Sequence, residues 1–309
     1  MVLSGCRRGG TGGPTSQPTA TYTPRSTPLP ALTETPVPGS VDSPIRMLLV
    51  EPEGVRATAL GSAIDALQTA FNEQFGLVVE TELLDSSAEI IRQICNTASG
   101  IPVMAWLDGL AYAATNALNC GYPLLQLERD SDERIGETIQ IIVNADSGIN
   151  SVRQLADSAF CRISYDDRMT WLLPSLLMQA NGVDPTTDLD SVTNFETMDA
   201  LLEAVDQGDC QAAGLSAAYF ANVQPGRRRN IEVLDDTMVV PYGILVASAQ
   251  VSLGIRESIQ TSLPQLDAGT WLETLLTADA INEIEAESLE DWIATLGRTG
   301  IDFAALARP

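Results

Sequence analysis

The sequence predicts an α/β protein of two similar lobes with a cleft between them. Segments with strand character and segments with helical periodicity alternate from Ser43 onward, and the alternation restarts near residue 138. Such alternation is typical of largely parallel sheets covered by helices. The chain of 309 residues is also longer than one hydrophobic core usually supports. Since ligands of such sheets bind outside the carboxyl ends of the strands, the cleft is the predicted binding site.

The first lobe is predicted from four apolar runs of strand length separated by amphipathic segments. In the longest of these segments, Leu60, Ile64 and Leu67 recur with helical spacing, and Gly76 is expected to end the helix. The predicted strands cover residues 45–50, 77–83, 102–107 and 123–127, and the predicted helices cover residues 58–75, 87–96 and 110–118.

The second lobe is predicted from the renewed alternation. Its strands are expected at residues 138–143, 159–163, 210–215 and 231–234, and its helices at residues 152–155, 170–181 and 197–205. The runs that hold Cys161 and Cys210 are short and apolar, so we expect them to be neighbouring parallel strands.

The charged residues exclude several classes of chemistry. All 17 basic residues are Arg, and the sequence has neither Lys nor His. This excludes Ser-His-Asp relays, HExxH zinc sites, P-loop lysines and Schiff-base lysines. A net charge of −24 argues against nucleic acid, and the run Arg227-Arg228-Arg229 is interpreted as an exposed loop. We therefore expect no cofactor, no metal and no nucleic-acid partner.

The N-terminus has a composition unlike that of the rest of the chain. Residues 7–43 are rich in Pro, Thr, Ser and Gly, which predicts a disordered tether. Just before them, Leu3-Ser4-Gly5-Cys6 resembles the lipobox of bacterial lipoproteins, which predicts lipidation of Cys6 and makes residues 1–6 a remnant of a signal. The charged and apolar parts of a signal peptide do not precede Cys6, so we expect an upstream start codon or a trimmed sequence. The alternative is a chance Cys in a disordered tail.

The four remaining cysteines fall two to each half of the chain. Periodicity places Cys95 and Cys120 at the ends of consecutive helices, and Cys161 and Cys210 in neighbouring strands. We therefore predict the disulfides Cys95–Cys120 and Cys161–Cys210, each contributing roughly 3 to 4 kcal/mol in the chain-entropy model. Four reduced thiols in a cytosolic protein are the alternative.

Five segments resemble one known family. Residues 140–155, which contain Asp146-Ser147-Gly148-Ile149, are similar to the entry into the second lobe of the phosphate/phosphite/phosphonate solute-binding proteins of ABC importers. Four further segments follow in that family's order and spacing: 103–112, Phe160-Cys161-Arg162 with Trp171 and Pro174, Ala204-Val205 with Gly208-Asp209-Cys210, and Val240-Pro241. The resemblance covers residues 44–309.

The resemblance implies the type 2 periplasmic-binding-protein fold, with two mixed sheets flanked by helices and a cleft between the lobes. Lobe one is expected to comprise residues 44–137, lobe two residues 138–242, and residues 243–309 are expected to return to lobe one.

The sequence departs from the family where the family binds its oxyanion. Asp167-Arg168-Met169-Thr170 stands at the family's Ser-Thr-Ser-Gly turn, Met198 at its His, and Glu137 at a frequent aromatic. We expect Arg168 to be the only cation near the site, and an ordinary helix cap is the alternative role for Asp167. The residues predicted to bind ligand are Trp106, Asp108, Glu137, Asp167, Arg168, Met169, Thr170, Glu196, Thr197, Met198, Tyr219 and Tyr242; Tyr112 and Trp171 are further aromatic candidates, with the core as the alternative for Trp171.

The function expected from these features is an extracytoplasmic, lipid-anchored, monomeric solute-binding protein of an ABC importer, with a permease and an ATPase as partners. Its ligand is expected to be a small polar or amphipathic solute and not a simple phosphonate. One alternative is a sensory module that signals to a membrane partner. Another is an enzyme on the same fold, with Asp166 and Asp167, or Glu196 and Asp199, as its carboxylate pair.

Overall fold

Two β-sheets, each flanked by helices, organise the part of the chain that the structure describes. The structure is a computed structural model, and it describes residues 36–52, 54–131, 133–266 and 269–307. The chain from Pro36 onward forms one unit. Cys6 and most of the predicted tether lie outside the described residues.

The first sheet has six strands and combines both ends of the chain. Its spatial order is β11, β4, β10, β3, β1, β2, with bounds β1 Ile45–Val50, β2 Val79–Leu84, β3 Val103–Leu107, β4 Tyr122–Glu128, β10 Ile244–Ala247 and β11 Ala280–Asn282. Strands β1, β2 and β3 are parallel, whereas β10 lies antiparallel between β3 and β4. The sheet is therefore mixed. Strand β10 comes from the C-terminal segment and lies between β3 and β4, which the predicted alternation of strands and helices would have placed side by side.

The second sheet has five strands in the order β7, β6, β8, β5, β9. Its strands are β5 Gly136–Asn144, β6 Ala159–Arg162, β7 Ser191–Asn194, β8 Ala212–Ser216 and β9 Ile231–Pro241. Strands β6 and β8 are parallel neighbours, as predicted, and β5 is antiparallel to both β8 and β9. The prediction of two mixed sheets flanked by helices is confirmed.

The helices follow the predicted order, with shifts at their ends. They are α1 Ala57–Phe75, α2 Ser87–Cys95, α3 Gly109–Ala117, α4 Leu173–Ala180, α5 Met198–Gln207, α6 Ala217–Ala221, α7 Leu253–Ser262, α8 Gly269–Leu276 and α9 Ala286–Arg298. Gly76 ends α1 with a φ of 64°, a left-handed conformation that glycine adopts without steric cost. The predicted helix at 170–181 is divided, because a π-helical turn at Arg168–Leu172 precedes α4.

Two differences concern strands and short helices. Strand β9 runs to Pro241, seven residues beyond the predicted 231–234, because it pairs with β5 along nearly its full length across an irregularity near Gln140. The predicted helix at 152–155 is a 3-10 helix. Within the described ranges, no helix combines the length and the apolar composition needed to cross a membrane.

The largest apolar cluster extends from one sheet to the other. It contains Leu48 and Val103 from the first sheet, Ile139 and Ile141 from the second, and Trp292 from α9. Helix α9 packs against α4 and β9 of the second sheet. The indole N–H of Trp292 also donates to the carbonyl of Gly109, which begins α3 beside the first sheet, at 2.9 Å. Helix α9 therefore contacts elements that flank both sheets.

Both predicted disulfides are present. Cys95 at the end of α2 is bonded to Cys120, just after α3, and Cys161 in β6 is bonded to Cys210, just before β8. Each bond joins elements around a single sheet. Such bonds form and persist in oxidising compartments, which agrees with an exported protein.

Candidate ligand-binding cleft

A cavity of about 280 Å³ lies at the carboxyl ends of β1, β3 and β4. Three predicted ligand-binding residues line it together: Trp106 from β3, Asp108 just after β3, and Tyr242 just before β10. Trp106 is also 95% buried in the core of the first sheet, so it presents only a small part of its ring. We refer to the residues that line this cavity as the first wall of the candidate site.

Asp108, one of the residues that line the cavity, caps the N-terminus of helix α3. Its Oδ1 accepts hydrogen bonds from the backbone N–H groups of Leu110 and Ala111, both at 2.9 Å, and so caps the N-terminus of α3. Its Oδ2 accepts a longer contact of 3.4 Å from the hydroxyl of Ser87. Oδ1 of Asp108 thus caps the helix, whereas Oδ2 has a weak contact with Ser87 among the described residues at the cavity.

A cation that the sequence reasoning missed lies in the same cavity. The guanidinium of Arg129, which follows β4, stacks 3.9 Å from the ring centroid of Tyr242. Its Nε–H donates to the carbonyl of Thr277 at 3.0 Å. Arg168 is therefore not the only cation beside the predicted site residues. Its position two residues after the predicted strand at 123–127 was the feature that could have identified Arg129.

The second wall is built at the carboxyl end of β6, where Asp167 caps the π-helical turn. Its Oδ1 accepts hydrogen bonds from the backbone N–H of Met169 at 3.1 Å and of Thr170 at 2.7 Å. The hydroxyl of Thr170 donates to the same oxygen at 2.6 Å, and accepts from the N–H of Ile163 at 3.0 Å. The N–H groups at the start of the π-helical turn therefore already have a carboxylate partner.

The neighbours of Asp167 differ in what they present to solvent. Arg168 is exposed, Met169 packs partly against the apolar cluster that both sheets share, and Thr170 is buried. Thr170 consequently serves the local fold, whereas Arg168 is free to face a ligand.

Glu137 connects the two walls electrostatically. It is half-buried in β5, and this burial raises the pKa of its carboxyl, an effect that Glu133 increases. Arg168 from the second wall and Arg129 from the first both act to lower the same pKa. Two cations from opposite walls therefore lie within electrostatic reach of one partly desolvated carboxylate.

The remaining predicted residues occupy the rim of the second wall. Thr197 caps α5 by accepting from the N–H of Ala200 at 3.2 Å, and Glu196 beside it is exposed. Met198 packs partly against the core, and Tyr219 in α6 is 39% exposed. The structure places these side chains shortly after the ends of strands β7 and β8 of the second sheet.

Two aromatic candidates lie elsewhere. Tyr112 lines a different cavity, with Asn116 of α3 and residues of α9, so the expectation that it faces the cleft is wrong. Trp171 is 96% buried against Phe160, which is the core position expected as its alternative.

Tyr165 is an aromatic residue that the sequence reasoning did not select. It follows β6 and is 64% exposed, and its ring lies 6.1 Å from that of Trp171. The guanidinium of Arg162 lies over both rings, 4.9 Å from the Tyr165 centroid and 4.2 Å from that of Trp171. These contacts hold an exposed aromatic surface beside Asp167.

Three of the four carboxylates considered for an enzyme, namely Asp166, Asp167 and Asp199, have partners within the fold. Asp166 accepts from the hydroxyl of Ser164 at 2.7 Å, which lowers the pKa of Asp166. Asp199 pairs with Arg227 at 2.7 Å. Together with the capping role of Asp167, these contacts give three of the four candidate carboxylates a role in local structure.

The cavity at the carboxyl ends of β1, β3 and β4 and the acidic turn after β6 are the candidate binding surfaces of this two-sheet fold. The family model described as "ABC transporter, phosphonate, periplasmic substrate-binding protein" matches residues 56–292. This match covers more than half of the chain, and the protein belongs to that family. It is therefore an extracytoplasmic solute-binding protein of the ABC-transporter type, a class that delivers a small molecule to a permease and its ATPase.

Solved structures show the same fold at low sequence identity. The XAC2383 protein of Xanthomonas citri bound to chloride ion is 14% identical, with a TM-score of 0.55, and the match covers 83% of this chain and 98% of that one. A TctC solute-binding protein from Polaromonas is 14% identical, with a TM-score of 0.50, and the match covers 84% and 98%. The sequence has no match among curated proteins.

Proposed function

We propose that this protein is the lipid-anchored receptor of an ABC importer and that it closes on a small amphipathic solute carrying an amine or several hydroxyls. Simple phosphonates and phosphate are not its ligands. Closure follows a population shift, in which contacts made only in the closed state supply the differential affinity.

The capping of the π-helical turn by Asp167 is the observation that carries this proposal. A helix N-terminus binds an oxyanion through its free N–H groups and its dipole. Here the N–H groups of Met169 and Thr170 and the hydroxyl of Thr170 all bond to Asp167. The protein's own carboxylate therefore takes the place that the oxygens of a phosphonate need.

Charge repulsion strengthens this exclusion. A dianion at the turn would lie a few ångströms from the Asp167 carboxylate, and the resulting repulsion is on the order of several kcal/mol once water is excluded. Arg168 offsets part of this cost. An ammonium or hydroxyl group instead gains a charge-assisted hydrogen bond from a carboxylate such as that of Asp167.

The apolar part of the solute has aromatic surface available on both walls. Tyr165 offers an exposed ring on the second wall, and Trp106 and Leu275 line the cavity of the first. One face of Tyr242 is covered by Arg129, so that ring offers its edge or its opposite face. A solute with an apolar body fits these surfaces better than a compact oxyanion does.

Calorimetric titration tests the ligand class. Phosphate, phosphite, methylphosphonate and 2-aminoethylphosphonate are each expected to bind no tighter than about 0.1 mM, or roughly −5.5 kcal/mol. Micromolar binding of any of the four, abolished by Arg168→Ala, would restore the family's phosphonate function and refute the proposal.

The anchor is proposed from the lipobox-like Leu3-Ser4-Gly5-Cys6 and the Pro- and Thr-rich residues that follow it. In a lipoprotein-processing host, the protein expressed behind a complete signal peptide should incorporate labelled palmitate and sediment with membranes. Cys6→Ser should abolish both. Unchanged membrane association of the Cys6→Ser variant would show that Cys6 does not anchor the protein.

A further inference from the structure

The guanidinium of Arg129 is held in a fixed plane at the edge of the first-wall cavity. One face stacks on Tyr242 at 3.9 Å, and Nε–H donates to the carbonyl of Thr277 at 3.0 Å. Stacking and the Nε bond together fix the orientation of a side chain that otherwise has many rotamers.

The outer edge of this guanidinium has unused donors. In the described part of the chain, the terminal nitrogens of Arg129 donate to no protein group, and the described ion pairs join other arginines to carboxylates. A rigid planar fork with free N–H groups at a cavity matches a planar acceptor with two oxygens, which is the geometry of a carboxylate.

The same cavity also contains acidic groups. Asp108 and Glu51 line it together with Arg129, and the Oδ2 of Asp108 has only the 3.4 Å contact from Ser87. A solute that brought only negative charge would be repelled by these two carboxylates. A solute that also carries an ammonium can pair its negative group with Arg129 and its ammonium with the two carboxylates, all within this cavity of about 280 Å³.

We propose that Arg129 binds the carboxylate of the transported solute and that Asp108 and Glu51 face its ammonium, so that the ligand is a zwitterionic amino-carboxylate. This inference rests on the proposed function and narrows its ligand class. Arg129 acts here as a specificity-determining residue, and Tyr242 is the platform that orients it.

Equilibrium dialysis against a bacterial metabolite extract tests the inference, because the extract offers many candidate solutes to the protein at once. Enriched compounds are identified by mass spectrometry before and after derivatisation of carboxyl groups. The wild type should enrich a compound that carries both a carboxylate and an amine. Arg129→Gln should lower that enrichment about tenfold to a hundredfold, since it removes charge-assisted hydrogen bonds. Arg129→Lys keeps the positive charge without the planar guanidinium, so its enrichment should lie between that of Arg129→Gln and that of the wild type.

Two further variants separate recognition from general damage. Arg153→Gln makes the same charge change at an exposed position on the 3-10 helix Val152–Leu155 and should leave enrichment unchanged. Tyr242→Leu removes the platform and should weaken binding while circular dichroism stays that of the wild type. Enrichment of a compound without a carboxylate, or enrichment insensitive to Arg129→Gln, overturns the inference and leaves the proposed function standing. Enrichment of nothing by the wild type overturns both.

Discussion

Replacing Asp167 by alanine tests the cap on which the ligand assignment depends. The change removes the acceptor of two backbone N–H groups, at 3.1 and 2.7 Å, and of the Thr170 hydroxyl at 2.6 Å. Loss of an N-cap costs about 0.5 to 2 kcal/mol, and three bonds to a half-buried carboxylate place the expected loss in the upper half of that range. Asp167→Ser keeps a capping oxygen and should cost only a few tenths of a kcal/mol, a value typical of exchange between good caps.

Urea denaturation followed by circular dichroism measures these free energies of unfolding. Asp166→Ala is the matched control, because this exposed neighbour accepts from the Ser164 side chain and does not cap the π-helical turn, so it should leave the unfolding midpoint nearly unchanged. The same Asp167→Ser protein has lost the negative charge at the turn, so phosphate should bind it about tenfold more tightly than it binds the wild type, a gain of about 1.4 kcal/mol. Equal stability of the Asp167 and Asp166 alanine variants would show that Asp167 does not stabilise the turn. Phosphate binding that Asp167→Ser leaves unchanged would show that the charge of Asp167 does not exclude phosphate.

Three further outcomes are expected. Gly214→Ala should destabilise the second sheet by about 1 to 3 kcal/mol in thermal denaturation, because the new Cβ would stand 2.1 Å from Cγ of Pro174; an unchanged melting temperature would contradict this packing. Replacing both Cys161 and Cys210 by Ala should lower the free energy of unfolding by roughly 3 to 4 kcal/mol, and no loss would contradict it. Burial raises the pKa of Glu137 above 4.5, so its contribution to stability falls as pH rises from 4.5 through the raised value. Glu137→Gln should therefore be more stable than the wild type at pH 7 and equal to it at pH 4 in urea titrations, and a gain limited to low pH would contradict the shift.

Much of the fold was predictable because strand and helix periodicities are local properties of the sequence. Strand β1 has the predicted bounds, and the helix expected at 58–75 begins one residue earlier. The antiparallel position of β10 was not predictable from periodicity. It depends on pairing between residues more than 100 positions apart, and a four-residue apolar run has the same appearance in either direction.

The sequence indicated candidate site residues at strand ends but could not indicate their contacts. Strand ends indicated Asp108 and Asp167, and the structure adds that each uses one carboxylate oxygen to cap a helix. Arg129 was missed because its importance comes from stacking on Tyr242, which lies more than 100 residues away in the sequence. Tyr112 was assigned to the cleft for its ring alone, whereas helix α3 directs it toward α9. Long-range contacts of this kind leave no periodic pattern in a single sequence.

Native mass spectrometry of freshly purified protein directly tests whether the chain carries a small organic solute and not a phosphonate. We expect an adduct of one small organic molecule per chain that is lost on denaturation and whose fragmentation shows an amine or several hydroxyls and no phosphorus. An adduct with the mass of phosphate or of a simple phosphonate, retained on dilution, would contradict it.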